Sequence, residues 1–284
     1  MSEREVSFLA FDVESVADGD LVSRIRYPGA GLSADEAIAR YRVELMEKYE
    51  SDFIPYTFQI PISLAVAKIG PDYSLIDLVS LDEPEHRPHV ITENFWRGWE
   101  RYRRPTLVSF NGRTFDIPLM ELAAFRYGIS IPGWFALESR SYEQPRHRYR
   151  LESHFDLHEV LTNFGSARFT GGLNLAANLL GKPGKMTLHG SDVQDRFQAG
   201  DTQQIHDYCR CDVLDTYFVF LRTAALVGWI DLAREQELVR QAKGWIEERA
   251  ESHEAFARYL TKWGDWPNPW PHREEAASEA KNVS

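Results

Sequence analysis

Short apolar runs separated by amphipathic helical segments are the feature that most limits how this chain can fold. The runs have the length and composition of strands and lie at residues 6–13, 60–69, 75–81 and 106–110. Residues 70–73, Gly-Pro-Asp-Tyr, predict a turn between the second and third runs, and a helix is predicted at 93–102 before the fourth. Strands that alternate with helices indicate α/β layering. We therefore expect an α/β protein whose central sheet is covered by helices.

The remaining segments complete the predicted order of elements. An insertion at 15–59 separates the first two strands, and it contains a helix at 33–49 with Ser33 at its start as a cap. The elements that follow are a turn at 111–112, a helix at 117–127 ended by Gly128, a loop at 131–150, a strand at 154–157, and helices at 173–180, 202–226 and 231–262. From this order we expect a main domain at 1–228, a helical extension at 229–262 and a mobile tail at 263–284.

The composition is that of a packed, soluble protein. Hydrophobic residues make up 43% of the 284 residues, which allows a sizeable core, although length alone does not choose between one large domain and two small ones. No segment approaches the roughly 20 apolar residues that span a bilayer. The first apolar run contains Asp12 and Glu14, which is unlike a signal peptide. The sequence therefore predicts a cytoplasmic protein without a membrane role.

The charge balance limits the way in which the chain can contact nucleic acid. A net charge of −11 argues against non-specific coating of a duplex, which depends on neutralising many phosphates. A site that binds phosphodiester through divalent cations needs only a local basic rim. Each candidate for such a rim is explained better as part of a solvated face, and the candidates are Arg97, Arg101, Arg103, Arg104, residues 140–150, Lys182 and Lys185. Cys209 and Cys211 lie two apart in a predicted helix and point to different sides, so no zinc site or disulfide is expected from them.

The first of three acidic motifs is Asp12-Val13-Glu14 on the first strand. Because side chains alternate along a strand, Asp12 and Glu14 share one face, whereas Phe11 and Val13 share the other. Two carboxylates then occupy one small volume. Taken alone the motif is weak evidence, since a polar strand end has the same appearance.

The other two motifs follow a strand and lie within a helix. Asn111 to Asp116 spans a strand-to-helix junction, where Asp116 is predicted to cap the next helix while its second oxygen stays available to a metal. Tyr208 and Asp212 are four apart in the helix predicted at 202–226, so they share a face. Asp215 lies nearby, and the helix alone does not say which aspartate matters.

The joint occurrence of the motifs carries more weight than any one of them. It supplies a tyrosine and four carboxylates that can meet at one end of a sheet: Tyr208, Asp12, Glu14, Asp116 and Asp212. Four carboxylates within a few ångströms raise one another's pKa values unless cations compensate them. Two divalent cations would do so, and they form the clamp used in phosphodiester hydrolysis. Ligation by oxygen alone favours Mg²⁺ or Mn²⁺.

The pattern D-x-E, N-x-x-x-F-D and Y-x-x-x-D resembles that of the tyrosine-type DEDD 3′–5′ exonucleases. Within that group the chain is similar to the stand-alone predicted exonucleases related to the proofreading domain of family B DNA polymerases, over about residues 5–225. The resemblance implies a ribonuclease H-like fold with a mixed central sheet and helices on both faces. It also implies 3′–5′ digestion of single-stranded DNA. Ser15 stands where the polymerase domains usually have threonine, which leaves its contact undefined.

The resemblance assigns roles to the site residues. It implies that the four carboxylates bind the metals and that Tyr208 positions the attacking water. A phenol with a pKa near 10 is a poor base at pH 7, whereas metal ligation can bring the pKa of water to roughly 7. We therefore expect Tyr208 to orient the water and the metals to activate it.

Several further residues are candidate substrate contacts: Ser15, Phe110, Asn111, Phe115 and Asp156. Phe110 and Phe115 can stack on terminal bases, although packing in the core is the commoner role of aromatic residues at a strand end. Asn111 either contacts the substrate or makes the turn with Gly112. Asp156 is expected to contact the substrate or to support the residues that do.

Three alternatives stay open at the level of sequence. The same chemistry on RNA differs only in how the site senses the 2′-hydroxyl group. A catalytically silent nucleic-acid-binding module could keep the fold, although the presence of all four acids and the tyrosine disfavours it. The acids could also be scattered surface and capping residues of an unrelated α/β enzyme. The sequence does not identify a polymerase or repair partner.

Overall fold

The computed structural model describes residues 5–184 and 192–270, and its centre is a mixed sheet. Within these residues five strands pair in the order β3-β2-β1-β4-β5. They are β1 (Phe8–Ala17), β2 (Gln59–Ile69), β3 (Leu75–Ser80), β4 (Thr106–Ser109) and β5 (His154–Asp156). The pairs β1–β2 and β2–β3 are antiparallel, whereas β1–β4 and β4–β5 are parallel. The predicted α/β class and mixed, ribonuclease H-like sheet are confirmed.

Helices occupy most of the chain between and after the strands. In the described residues they are α1 (Gly19–Arg26), α2 (Ala34–Tyr49), α3 (Pro88–Arg101), α4 (Asp116–Tyr127), α5 (Pro132–Phe135), α6 (Leu157–Leu161), α7 (Gly172–Asn178), α8 (Val193–Gln198), α9 (Thr202–Leu226), α10 (Leu232–Glu247) and α11 (Glu254–Thr261). The short helices α1, α5, α6 and α8 were not predicted. No helix in the described part combines the length and apolar character needed to cross a bilayer.

The two faces of the sheet have different side chains and different helices. Phe11 and Val13 point into a core shared with α3 and α4. On the opposite face Ala10, Ala65 and Ala67 belong to the core shared with α9, α10 and α11. Because alanine is small, α9 can lie close to β1 and β2. Asp12 and Glu14 continue the alternation that begins at Ala10 and therefore point towards α9.

Strand β1 is longer than the predicted strand at 6–13 and projects past its parallel neighbour. Its pairing with β2 continues to Ala17, opposite Gln59. Its pairing with β4 involves only Phe8, Leu9 and Ala10. Beyond Ala10, no described strand pairs with this edge of β1. The acidic motif lies on this projecting half, where the sheet leaves space for a site.

The insertion between β1 and β2 has a small core of its own. The predicted helix at 33–49 is confirmed as α2, and Ser33 and Glu36 form a capping box at its start. Helix α1 begins after Asp18, whose side chain accepts a hydrogen bond from the Leu21 backbone. The two helices bury apolar side chains against each other and against Ile54 and Phe58, which precede β2. They include Val22, Tyr27, Ile38, Tyr41 and Leu45.

The prediction of one helix at 231–262 is wrong, because α10 ends at Glu247 and α11 begins at Glu254. The intervening turn lets α11 fold back on α9. Phe256 and Tyr259 are thereby buried, and the Tyr259 hydroxyl donates to Asp215 Oδ1 at 2.6 Å. A straight helix would leave both rings in water. Of the tail predicted at 263–284, residues 271–284 lie outside the described part.

Candidate active site

A cavity of about 580 Å³ lies where β1 runs past the end of β4. Its walls include each residue predicted to carry chemistry: Asp12 and Glu14 from β1, Asp116 from α4, and Tyr208 and Asp212 from α9. These residues are separated by nearly two hundred positions in the chain. The structure therefore brings the three acidic motifs into one volume, and the alternative of acids scattered over the surface does not describe it.

The β1 carboxylates lie opposite small residues of β2. Asp12 pairs in register with Ala65 and Glu14 with Ser63, so no bulky side chain fills the space beside them. Glu14 is buried, with 8% of its surface exposed. Burial, followed by the charges of Asp12, Asp212 and Asp116, raises the pKa of Glu14 well above its usual value. The carboxylates of the cavity therefore carry negative charge that no lysine or arginine among its described wall residues neutralises.

Asp116 has a different local role from the one predicted. It is the first residue of α4, and Phe115 stands at the N-cap without a side-chain hydrogen bond, so the predicted capping role is wrong. Instead the Asp116 carboxylate accepts hydrogen bonds from its own backbone N–H and from that of Val13. The second bond ties α4 to β1. Burial and then the charge of Asp12 nonetheless raise the pKa of Asp116 well above its usual value.

The loop between β4 and α4 approaches this carboxylate closely. A Cβ atom on Gly112 would lie 2.4 Å from Ser109 Oγ and 2.9 Å from Asp116 Oδ2, so only glycine fits. Asn111 has φ of 64°, a left-handed conformation that asparagine tolerates better than most residues. The motif therefore needs its glycine and its asparagine for backbone reasons alone, whatever else Asn111 contacts.

Asp156 is fully buried beneath the same loop and lies outside the cavity walls. Its carboxylate accepts backbone hydrogen bonds from Asn111 and Arg113, both at 2.9 Å. It also caps α6 by accepting from the backbones of His158 at 3.0 Å and Glu159 at 3.4 Å. Of the two roles expected for Asp156, this arrangement corresponds to supporting the loop; its carboxylate does not face the cavity where a substrate would lie.

Helix α9 contributes Tyr208 and Asp212, one turn apart on the face towards β1. The Tyr208 hydroxyl and the Asp212 carboxylate are hydrogen-bonded. Burial, followed by the charges of Asp212, Glu14 and Asp12, raises the pKa of Tyr208 far above 10. In the metal-free site the phenol therefore keeps its proton and is a donor. The competing aspartate, Asp215, is fully buried and accepts from the Tyr259 hydroxyl on the α11 side.

Cys209 lies directly below the two β1 carboxylates. Its Sγ and oxygens of Asp12 and Glu14 are all within 4.8 Å of one another. The thiol donates to the Asp12 backbone carbonyl at 3.3 Å, and burial raises its pKa well above the usual value. Cys211 points the other way, towards the Ala255 carbonyl at 3.8 Å. Since Cys209 stays protonated, the charged donors at the cavity are carboxylate oxygens.

Two aromatic groups line opposite parts of the cavity mouth. Phe110, His158 and Phe169 pack together with ring centroids 5.7 to 6.0 Å apart. Phe115 packs against Phe53 of the insertion at 5.7 Å. Phe110 and Phe115 were candidates from the sequence. Phe53, His158 and Phe169 were missed, because they come from distant segments and have no motif around them.

The polar residues of the mouth include Ser15 and Asn111, which were also candidates. The Ser15 hydroxyl donates to the Gln59 side chain, and Gln59 in turn donates to the Ile54 backbone carbonyl. This chain of bonds connects β1 to the end of the insertion. Asn111 is exposed, and Thr114 donates to its side-chain oxygen at 2.9 Å.

The expected basic rim is not found at this cavity, since none of its described wall residues is lysine or arginine. Arg97 pairs with Glu93 one turn away on α3, and Arg104, just after α3, pairs with Glu100. Lys182 belongs to a different cavity, and Lys185 lies outside the described residues. Arg97 and Arg104 thus match the paired face that was the alternative explanation, whereas Lys182 is buried.

Comparison with known proteins gives one match. A family model described as a predicted 3′–5′ exonuclease related to the exonuclease domain of PolB matches residues 51–263. The match includes the second and third motifs and leaves the Asp12-Val13-Glu14 motif of β1 outside it. No curated protein matches the chain.

Proposed function

The chain belongs to the family of predicted 3′–5′ exonucleases related to the exonuclease domain of PolB, and we propose that it removes nucleotides from the 3′ end of single-stranded DNA by two-metal-ion hydrolysis. Family membership supports the nuclease class and the direction of digestion. One observation supports the metal-dependent mechanism: four carboxylates and a tyrosine from three distant motifs line the same cavity.

The donor set fits hard divalent cations such as Mg²⁺ or Mn²⁺. Asp12, Glu14, Asp116 and Asp212 offer only oxygen, which is what these ions prefer. Mutual repulsion and burial raise the pKa values of Glu14 and Asp116, and no lysine or arginine among the described wall residues offsets that charge. Two cations would offset it. When bound, such cations stabilise charge on the phosphodiester and make the attacking water easier to deprotonate near neutral pH.

Tyr208 is proposed to orient the attacking water. A phenol, whose pKa is near 10 in water, is a poor general base at neutral pH, and burial in the metal-free site raises the pKa of Tyr208 further. Its hydroxyl is held against Asp212, and both side chains face the cavity. The hydroxyl oxygen can still accept a hydrogen bond from the water and so fix its direction. Asp212 therefore both binds a cation and positions the tyrosine.

The aromatic groups at the mouth support a single-stranded substrate. Stacking on Phe110 and Phe169, or on Phe53 and Phe115, is open only to bases released from pairing, and each contact contributes about 1–3 kcal/mol. Such stacking would replace the electrostatic attraction that a chain of net charge −11 lacks. The preference for DNA over RNA is proposed from the family resemblance alone. Ser15 and Asn111 are proposed as polar contacts to the terminal nucleotide.

The test is digestion of matched single-stranded DNA and RNA oligonucleotides labelled at the 5′ end, with Mg²⁺, Mn²⁺ or EDTA. We expect a ladder of products shortened from the 3′ end with either cation, faster on DNA, and no products in EDTA. Asp12→Ala should be inactive. Glu251→Ala is the matched control, because Glu251 is an exposed carboxylate in the turn between α10 and α11.

Each departure from this result has a distinct meaning. Faster digestion of RNA would replace the proposed substrate with RNA and leave the mechanism standing. Intact 3′ ends with both cations, together with retained oligonucleotide binding, would indicate a catalytically silent binding module. Activity in EDTA, or in Asp12→Ala, would contradict the two-metal mechanism.

A further inference from the structure

A second cavity, of about 330 Å³, lies between α10 and the end of α9. Val239, Arg240 and Lys243 recur at helical spacing and form the wall from α10. The cavity's other charged walls are Lys182, Arg222, Glu235 and Asp265, and Trp266 is an aromatic wall. None of its described wall residues lines the acidic cavity. Arg222 follows Asp212 by ten residues, so the two cavities are separated by about 15 Å along α9.

The charges around this cavity leave two cations without a close acidic partner. Arg222 is neutralised by Glu235 through two contacts of 3.1 and 3.2 Å, and Glu235 is otherwise buried. Arg240 is exposed and makes no hydrogen bond or ion pair with any described residue. Lys243 has only Glu247, at 4.0 Å. Among the described wall residues, the four cations Lys182, Arg222, Arg240 and Lys243 outnumber the two carboxylates of Glu235 and Asp265.

We propose that this cavity binds a mononucleotide, with its phosphate on Arg240 and Lys243 and its base beside the paired Arg222 and Trp266 side chains. A phosphate monoester carries about −1.5 to −2 charges at pH 7, which matches the two available cations. The volume lies at the lower end of the range of roughly 300–1,000 Å³ for small-molecule sites, so it is too large for inorganic phosphate alone.

The aromatic side of the cavity is already organised. The Arg222 guanidinium lies 4.1 Å from the centre of the Trp266 ring, and its two bonds to Glu235 hold it there. Guanidinium and indole planes are both surfaces on which bases stack. Val239 adds an apolar contact from α10. A nucleoside base thus has a flat partner next to the cations, which a simple anion would not use.

Lys182 supplies a third positive group at the inner end. It is buried, its Nζ donates to the Gly264 carbonyl at 2.9 Å, and it lies 3.8 Å from the centre of the Trp263 ring. Burial lowers the pKa of its ammonium to about 8 in spite of the neighbouring Asp265. The charges of the nearby acids therefore do not fully offset the cost of burying this ammonium group. A bound phosphate would offset more of it.

The experiment is isothermal titration calorimetry of the full chain in EDTA with deoxyadenosine monophosphate, inorganic phosphate and adenosine. Without divalent cations the acidic cavity repels phosphate, so the proposal does not depend on the exonuclease activity. We expect the mononucleotide to bind and the double variant Arg240→Gln/Lys243→Gln to weaken it by at least about tenfold. Glutamine is a good helix former, and thermal melting verifies that the variant is folded.

Two further variants identify the cavity. Arg24→Gln removes an exposed arginine of α1 that has no described partner, and it should bind the mononucleotide as the unmodified protein does. Asp12→Ala should also bind normally, whereas Trp266→Leu should weaken binding. The proposal is overturned by an absence of binding at millimolar mononucleotide, by loss of binding in Asp12→Ala, or by equal binding of inorganic phosphate or of adenosine.

Discussion

Asp156 offers the sharpest test of how the second acidic motif is held. Its carboxylate lies in the core and accepts four backbone hydrogen bonds, two from the loop that contains Asn111 and Arg113 and two from the start of α6. Three of the four are 3.0 Å or shorter. If this reasoning is right, Asp156 matters because it fixes the loop beside Asp116, and its replacement should destabilise the fold before it changes substrate affinity.

The expected loss in the free energy of unfolding follows from the number of backbone N–H donors that each substitution of Asp156 leaves without an acceptor. Asp156→Ala removes the acceptor of three short bonds, and each buried donor left unsatisfied costs about 1–3 kcal/mol. Partial access of water to the loop reduces the sum, so we expect a loss of about 3–5 kcal/mol in the free energy of unfolding. Asp156→Asn keeps Oδ1, which serves Asn111 and His158, and turns an amide group towards the Arg113 N–H. Its cost should be about 1–3 kcal/mol.

Urea unfolding followed by circular dichroism measures these losses. With m-values of about 3 kcal/mol/M, Asp156→Ala should lower the midpoint by about 1 M or more. Asp231→Ala is the matched control, since Asp231 caps α10 through one bond, to Arg234 at 2.7 Å, and its loss should cost about 1 kcal/mol. The order of stability should be unmodified protein, then Asp231→Ala and Asp156→Asn, then Asp156→Ala.

Kinetics separate this positioning role from a substrate contact. The folded fraction of Asp156→Asn should show a reduced kcat, because the loop that carries Asp116 is less well fixed, with little change in KM. A loss below about 1 kcal/mol in Asp156→Ala, or a raised KM in Asp156→Asn at unchanged stability, would refute the reasoning. The second result would make Asp156 the substrate contact that the sequence suggested.

Three further outcomes are expected. Mn²⁺ at about 100 times its dissociation constant should stabilise the protein by about 2.7 kcal/mol, or roughly 5–10 °C in melting temperature, and Asp12→Asn should lose this shift in differential scanning fluorimetry. Tyr208→Phe should reduce kcat about 10²-fold and retain the Mn²⁺ shift; loss of both would mean that the tyrosine helps to bind the metal. Burial raises the pKa of Asp215 from 3.8 to about 7, so the folded state binds a proton that the unfolded state releases, and stability should fall as pH rises through that interval. Because the raised pKa values of Glu14 and Asp116 act in the same direction, Asp215→Asn should reduce this fall rather than abolish it in urea titrations at several pH values, and an unchanged slope would contradict the assignment.

Local periodicity was sufficient to predict most strands and the α/β layering, whereas the mixed sheet came from the family resemblance and the grouping of the acids from the joint occurrence of the three motifs. The alternation that separates Asp12 and Glu14 from Phe11 and Val13 is a property of any strand, and the one-turn spacing of Tyr208 and Asp212 is a property of any helix. The end of β1 was not predictable in this way. Its pairing with β2 continues to Ala17 through the polar Ser15, because the neighbouring strand supplies hydrogen bonds that the sequence of β1 does not reveal.

Other features depend on contacts between distant segments, which a single sequence does not encode locally. The turn between α10 and α11 has no glycine or proline to mark it; it forms because Phe256 and Tyr259 gain more burial against α9 than a longer helix would give them. Phe53 and Phe169 reach the cavity from an insertion and from a loop, with no motif around either. For Asp156 the sequence left two roles open, a substrate contact or support of the residues that make one, and only the loop above it favours support.

Without cations, the carboxylates of the acidic cavity can stay together only if contacts outside the cavity hold β1, α4 and α9 in place. Asp12 and Glu14 are fixed by the pairing of β1 with β2, on the far side from the cavity. Asp116 is tied to β1 through the Val13 backbone, and α9 is pressed against the alanine face of the sheet. None of these restraints uses a cation. Burial and the repulsion among the carboxylates therefore raise the pKa values of Glu14 and Asp116 rather than separating the elements. The site is thus already formed for metal, and the same restraints should keep the fold intact when metal is removed.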